Sequence, residues 1–174
     1  MKVEIKNRFN DKIILSGKYE SIKDCLEKNR DADLSDSDLR GSDLRGSDLR
    51  GSNLRGSNLS GSDLRGSDLS CSDLRGSDLS YSNLRGSDLR GSDLRGSKNY
   101  SESHDFFEEI VRRQKVDTFT QKEWSIIGQI VIHKLCWESI RKRFNKSAMG
   151  IFKKLKKVGF GEWSGKYSEI LREK

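Results

Sequence analysis

The chain of 174 residues contains no proline, two histidines and three cysteines, and these shortages limit what it can be. Cys25, Cys71 and Cys136 are odd in number and widely separated, so we expect a reduced, cytoplasmic protein without a disulfide framework. No hydrophobic run approaches the roughly 20 residues of a membrane span. The first residues also lack the apolar core of a signal peptide. We therefore expect no membrane as a partner.

The residues that enzymes and metal sites require are equally scarce. His133 and Cys136 have the spacing of two ligands on one helix face, but zinc needs four ligands, or three and a water. The recurring glycines lack the lysine of a phosphate-binding loop, and the serines lack a base that could activate them. The sequence therefore predicts no catalytic, cofactor-binding or metal-ligating residue, and the protein is predicted not to be an enzyme.

What the chain does contain is charge and a strict repeat. Charged residues make up 35% and hydrophobic residues 32%, so few apolar side chains are available for a core. Residues 32–96 form thirteen pentads of the form Ala/Ser–Asp/Asn–Leu–Arg/Ser–X, and the leucine is never substituted. The fifth position is glycine except at Asp36, Cys71 and Tyr81.

A period of five suits neither an α-helix nor a flat strand, because both would scatter the leucines over opposite faces. A coil that turns a corner once per pentad keeps every leucine on one axis. A disordered low-complexity tract is the alternative interpretation, but it does not explain a leucine at every fifth position.

The pentads resemble the pentapeptide-repeat family over residues 32–96. The resemblance implies a right-handed quadrilateral β-helix with four pentads per coil, in which each leucine and the small residue two positions before it face inward. It also implies a bacterial or phage protein that binds an enzyme acting on nucleic acid. Several members mimic duplex DNA and bind type II topoisomerases. The eleven Asp and nine Arg of 32–96 make this segment nearly neutral, which departs from DNA mimicry.

The fold class predicted is a mainly β solenoid with a small all-α C-terminal domain. Residues 1–31 are expected to cap the solenoid with a β-hairpin (2–9 and 12–19) and a short helix, whose N-cap is Ser21. Residues 32–97 form the β-helix, and residues 98–174 a basic domain of three or four helices. We expect the apolar side of the hairpin to be formed by Val3, Ile5, Ile13 and Ile14.

Within the last segment, Ser101 or Ser103 is expected to cap the first helix. The spacing of Thr120 and Glu123 predicts a capping box that opens a long helix to about Phe144. A third helix is expected to begin at Ser147. This domain could also form a homo-oligomer.

Two candidate contact surfaces follow from the pattern. Tyr81 is the largest interruption of the glycine positions, so the preferred protein-contact patch comprises Tyr81, Asp78, Ser80, Ser60 and Asp38. Residues 97–174 carry a net charge of +7, and the candidate nucleic-acid or anion contacts there are Arg141, Lys142, Arg143, Lys146, Lys153, Lys154 and Lys157. The alternatives are a tolerated outward substitution at Tyr81 and an ordinary solvated helix face in the basic segment.

The leading hypothesis is a non-enzymatic protein whose rod is a recognition surface for a protein partner. The second is direct binding of nucleic acid or another anion through the basic helices. The third is a structural, homo-oligomeric module. Salt dependence separates the first two, since phosphate binding weakens steeply as salt rises.

Overall fold

A computed structural model of the protein describes residues 1–100, 104–133 and 135–172. The N-terminal strands β1 (Lys2–Lys6) and β2 (Ile13–Lys18) pair antiparallel. A bulge follows Ile5, so Lys6 pairs with Ile13 and Ile14 is left out of the ladder. The hairpin is confirmed, but Ile13 is 55% exposed, so placing it on the buried side was wrong. A one-residue insertion into a strand redirects the side chains beyond it.

Helix α1 (Ile22–Lys28) closes the first layer of the repeat segment. Ser21 caps it as expected, because its hydroxyl accepts a hydrogen bond from the Asp24 N–H at 3.0 Å. Lys23 donates to the carbonyls of Arg45 and Gly46 at 3.0 and 3.1 Å, while the Glu27 carboxylate accepts from the Asp48 N–H at 3.0 Å. These side chains pair backbone groups that have no preceding layer to bond to.

The pentads are stacked with a period of twenty residues. Parallel bridges join residues twenty apart, from Asp33–Asn53 to Asp78–Lys98, and each layer therefore contains four pentads. Leu64, for example, donates its N–H to the Asn83 carbonyl at 2.8 Å. All thirteen leucines are at most 3% exposed, so the common buried column expected from the sequence is present.

Every pentad ends in a turn closed by a hydrogen bond from the serine N–H to the carbonyl of the leucine three residues earlier. The fifth residue of the pentad, the third of the turn, has a φ of +58° to +71° where it is glycine. A side chain at such a φ is strained, which explains why ten of the thirteen positions are glycine. The turns leave one bridge residue per pentad. The described residues thus contain two β-strands against six α-helices, and the expected dominance of β-strands is not observed.

The inward serines divide into two groups. In one, the hydroxyl donates to the leucine carbonyl three residues earlier, as Ser62 does at 2.6 Å. In the other, the buried hydroxyl has no hydrogen-bond partner within the described part of the chain: Ser37, Ser42, Ser47, Ser57 and Ser77. The leucine period stops at Asn99, which has a φ of +60°. Tyr100 is buried there and stacks on Phe106 with ring centroids 4.4 Å apart.

The chain divides into two compact units, Met1–Phe106 and Phe107–Lys174. After residue 100 the described residues form five α-helices instead of the expected three or four: α2 (His104–Arg112), α3 (Gln121–His133), α4 (Trp137–Phe144), α5 (Met149–Lys157) and α6 (Glu162–Arg172). The caps expected at Ser101 or Ser103 lie outside the described residues.

The capping box of α3 is confirmed, since Thr120 N–H donates to Glu123 at 2.8 Å and Glu123 N–H donates back to the Thr120 hydroxyl at 3.2 Å. The single long helix to Phe144 was wrong. The Leu135 N–H donates to the Ile130 carbonyl at 3.2 Å, which ends α3, and Cys136 is extended before α4. Ser147 lies in a 3₁₀ turn (Asn145–Ala148), so α5 begins two residues later than expected.

The second unit has an aromatic core. Trp163 and Tyr167 of α6 are at most 1% exposed, and Phe152 of α5 packs against Tyr167 with centroids 5.0 Å apart. Phe107 meets Trp163 edge to face at 5.2 Å. None of the helices in the described ranges is long and apolar enough to cross a bilayer.

Candidate functional site

Most of the charge on the repeat segment is neutralised within single pentads. In seven of them the arginine guanidinium donates to the aspartate two residues earlier, with Nη2–Oδ2 distances of 2.5–2.8 Å. The Arg45 side chain and then its backbone N–H lower the pKa of Asp43 to about 2. The Arg95 guanidinium likewise lowers the pKa of Asp93 to about 2. The surface is therefore a set of closed ion pairs, which leaves little free charge for a partner.

These arginine–aspartate pairs, which we call arginine forks, give a prediction about acid stability. A carboxylate whose pKa falls on folding stabilises the fold above its unfolded pKa of about 3.9, and this contribution is lost as the pH falls towards 2. Asp43→Asn should therefore lower the urea midpoint of the protein much more at pH 7 than at pH 2, where the folded-state carboxylate is already about half protonated. Asp31→Asn is the control, because Asp31 makes no ion pair in the ranges that the structure describes. An equal loss at both pH values would contradict the role given to the charge of Asp43.

The arginines of the repeat segment follow a rule of position. Every arginine at the fourth position is followed by glycine, whereas three of the four serines there precede the residues other than glycine. These three pairs are Ser35–Asp36, Ser70–Cys71 and Ser80–Tyr81. A side chain therefore occupies the strained fifth position only in pentads that lack the arginine fork. The repeat is therefore interrupted at three local sites.

Tyr81 is the most exposed of these three. It has a φ of +55° and is 96% exposed. The left-handed conformation costs a residue with a side chain about 1–2 kcal/mol. By contrast, the Asp36 carboxylate and the Cys71 thiol lie against Gly56 and Gly91 of the following layer. Tyr81 thus keeps a large side chain in solvent at a position where glycine would be less strained.

Asp78, three residues before Tyr81, lies in a cluster of polar groups. Its carboxylate accepts hydrogen bonds from the Ser80 hydroxyl, from the Ser80 N–H at 2.9 Å and from the Asn99 amide at 2.9 Å. Burial raises the pKa of Asp78, but these hydrogen bonds outweigh it and leave the pKa below its ordinary value. The carboxylate is therefore ionised. Asn99 was missed from the sequence, although the end of the leucine period marks it.

The other two residues of the patch differ in availability. Asp38, Asn58 and Asp78 are stacked one above the other by parallel bridges. Asp38 is held by the Arg40 guanidinium, with Nε–Oδ1 2.8 Å. Ser60 is half-buried, and its N–H donates to the Asn58 side chain at 3.1 Å. The structure therefore groups Asp78, Ser80 and Asn99 closely and leaves Asp38 in an ion pair.

The seven basic candidates are also separated by the structure. Lys154 is bonded to the Glu123 carboxylate at 2.6 Å, Lys142 to Glu138 at 2.9 Å, and Arg141 contacts the Ile170 carbonyl at 3.4 Å. Burial raises the pKa of Glu123, but the hydrogen bonds from Lys154 and Thr120 outweigh it, so the net pKa is lowered. The exposed residues of the group are Lys142, Arg143, Lys146, Lys153 and Lys157.

Histidine and cysteine form no site within the parts of the chain that are described. No group of three or more His, Cys, Asp or Glu side chains there could hold a metal ion. The Cys136 sulfur lies 3.3 Å from the Ser139 hydroxyl, and that hydrogen bond lowers the pKa of the thiol. Cys25 is buried and Cys71 is exposed.

Stacked pentads with a leucine core, a glycine turn and an outer layer of ion pairs define a layered repeat protein. The family model of pentapeptide repeats matches residues 30–66 and 57–96 with eight copies. The repeat segment of this chain therefore belongs to the pentapeptide-repeat family. No curated protein matches the chain.

Three solved structures illustrate the similarity. A pentapeptide repeat protein from the Arabidopsis thaliana thylakoid lumen is 37% identical over 37% of this chain and 52% of its own, with a TM-score of 0.21. HetL, a pentapeptide repeat protein involved in heterocyst differentiation regulation from Nostoc, is 34% identical over 35% of this chain and 38% of its own, with a TM-score of 0.17. QnrB1, a plasmid-mediated fluoroquinolone resistance protein, is 23% identical over 48% of this chain and 45% of its own, with a TM-score of 0.26. The chain thus covers about half or less of each.

Proposed function

We propose that this chain is a non-enzymatic binding protein that uses its repeat segment, residues 32–97, as a rigid recognition surface. The segment forms a right-handed quadrilateral β-helix in this proposal, which the period of twenty residues and the family resemblance support. Residues 1–31 cap it, and residues 98–174 form a separate basic helical domain. The partner is a protein, and the family resemblance favours a bacterial enzyme that acts on nucleic acid and is inhibited or modulated by the rod.

The strained and exposed Tyr81 is the observation that carries this proposal. Side chains kept in costly backbone conformations cluster at functional sites. Tyrosine is also enriched among the residues that dominate binding energy, because its ring buries much area at little cost in side-chain entropy. Ionised Asp78 and the Ser80 hydroxyl supply polar groups in the same pentad, three residues and one residue before Tyr81. The patch therefore combines an aromatic anchor with polar neighbours.

The test is to exchange Tyr81 for the residue that its backbone favours. Tyr81→Gly should raise the free energy of unfolding by up to about 1 kcal/mol, because glycine adopts a positive φ without steric cost. The same substitution should abolish partner capture. Urea unfolding gives the first quantity. The second is measured by affinity capture from nuclease-treated bacterial lysate, compared between the parent and the variant by mass spectrometry.

Cys71→Gly is the matched control, since Cys71 has a φ of +58° in the corresponding turn. It should also stabilise the protein, yet retain whatever the parent chain captures. If a protein that the parent chain captures is captured equally by Tyr81→Gly, the proposed contact patch is contradicted. A parent chain that captures only copies of itself would favour the structural module instead.

A further inference from the structure

The segment between Glu138 and Glu162 has an unusual charge. Residues 139–161 contain eight Lys or Arg and no Asp or Glu. They comprise most of α4, the 3₁₀ turn and all of α5. Nothing in the proposal for the repeat segment uses them. The structure decides which of these cations are occupied and which face solvent.

Helix α5 separates its lysines onto two sides. Its apolar residues Ile151, Phe152 and Leu155 are buried. Lys154 is turned towards α3, where it bonds Glu123 at 2.6 Å and lies 5.7 Å from the centre of the Phe119 ring. This ion pair links α5 to α3 and occupies the Lys154 ammonium.

The remaining three lysines of α5 form an exposed group that we call the lysine ridge: Lys153, Lys156 and Lys157. Lys156 and Lys157 follow Lys153 by three and four positions in the helix, so each lies beside Lys153 at about 5–6 Å between Cβ atoms. The stem of Lys156 runs along Gly161, with its Cγ 3.3 Å from where a Cβ would stand on that residue. Lys156 was not among the seven candidate contacts, but it is exposed, whereas the candidate Lys154 is paired with Glu123.

The corner before α5 adds two further cations on a fixed backbone. Arg143 and Lys146 are exposed on either side of Asn145. Asn145 has a φ of +46° and a ψ of −131°, and its carbonyl accepts a hydrogen bond of 2.5 Å from the buried Tyr167 hydroxyl. A strained backbone conformation persists only where the surrounding structure holds it, and here the Tyr167 hydroxyl does so. The two cations therefore project from a rigid position.

Among the described residues, the ridge and the corner have no counter-charge of their own. In residues 1–100, 104–133 and 135–172, no carboxylate lies within ion-pair distance of Arg143, Lys146, Lys153, Lys156 or Lys157. The nearby Glu123 and Glu138 are taken by Lys154 and Lys142. Five cations of one sign repel one another, and a dense anion would relieve that repulsion.

We propose that the lysine ridge and its corner bind the phosphate backbone of duplex nucleic acid without reading its sequence. Four of the five cations are lysines, whose ammonium is a point charge that contacts phosphate without the rigid planar fork of arginine. Contacts of this kind supply non-specific affinity. The proposed site lies in the second unit and does not depend on Tyr81.

Two other polyanions fit the geometry less well. An amphipathic helix that binds a membrane inserts its apolar face, but the apolar face of α5 is buried in the core. Single-stranded nucleic acid is bound by stacking its bases on aromatic side chains. The large aromatic side chains that are exposed in the described residues, Phe9 and Tyr81, both lie in the first unit. Duplex phosphate remains the ligand that matches four exposed lysines and one exposed arginine.

The test measures the affinity of the full chain for a fluorescent 20-base-pair duplex as a function of salt, by anisotropy. Each phosphate contact contributes about −0.9 to the slope of log K against log salt. The variant Lys153→Gln, Lys156→Gln, Lys157→Gln should therefore lower the magnitude of the slope by about 2.7 and weaken binding at least tenfold at low salt. Duplexes of unrelated sequence should bind alike, and Tyr81→Gly should leave binding unchanged.

The matched control removes three exposed lysines from the hairpin: Lys6→Gln, Lys12→Gln, Lys18→Gln. It changes the net charge equally and should leave the slope unchanged. Equal losses in both triple variants would show a dependence on net charge and overturn the proposal. A preference for single strands, or binding to vesicles of anionic lipid in place of the duplex, would overturn it too. Circular dichroism of every variant shows that lost binding is not lost folding.

Discussion

Replacing Leu64 by alanine should lower the free energy of unfolding by about 3–5 kcal/mol, the range found for leucine-to-alanine changes at fully buried sites. Leu64 is 0% exposed and lies in a middle layer, with Leu44 before it and Leu84 after it in the same column. Turns hold the backbone on both sides of each leucine, so neighbouring layers cannot move in to fill the space. A cavity remains, and its cost adds to the lost burial.

The measurement is urea unfolding followed by circular dichroism. Arg65→Ala is the control one residue away, since it removes an exposed fork to Asp63 whose removal should cost at most about 1 kcal/mol. A loss below 1 kcal/mol in Leu64→Ala would mean that the leucine column is not the source of stability. An equal loss in both variants would point to the ion pairs instead.

Trp163→Ala should cost the helical unit about 3–5 kcal/mol, which is the range for replacing a buried tryptophan. Trp163 is 1% exposed and has Phe107 and Phe160 as ring neighbours, with centroids 5.2 and 6.4 Å away. A domain of 77 residues is stable by only a few kcal/mol, so the variant should lose the helical signal of this domain. If residues 98–174 form a separate domain, the repeat segment should still unfold at its original urea concentration.

Two reporters make this measurable. Tryptophan fluorescence follows the second unit, because Trp124, Trp137 and Trp163 all lie there, and circular dichroism follows both units. Ile132→Ala is the control, since Ile132 is 76% exposed and its removal should change little. Loss of the repeat segment together with the helical signal would contradict the proposed domain boundary.

Local patterns predicted the elements that depend on neighbours in the sequence. The Ser21 cap and the Thr120–Glu123 capping box were predicted because each is closed by atoms three residues apart. The leucine column was predicted because thirteen identical pentads allow one burial pattern. The break of the long helix was missed, because the Leu135–Ile130 bond that ends α3 has no residue signature such as glycine or proline.

The sequence by itself determined the buried leucine column, the glycine turns and the basic surplus at the C-terminal end, because these follow from a period of five, from the steric limits on φ and from a count of charges. Only the tertiary structure decided which charged groups are available. Lys154 and Lys156 are both lysines of α5. Lys154, however, bonds Glu123 of α3, while Lys156 faces solvent. Contacts between residues distant in sequence decide such differences.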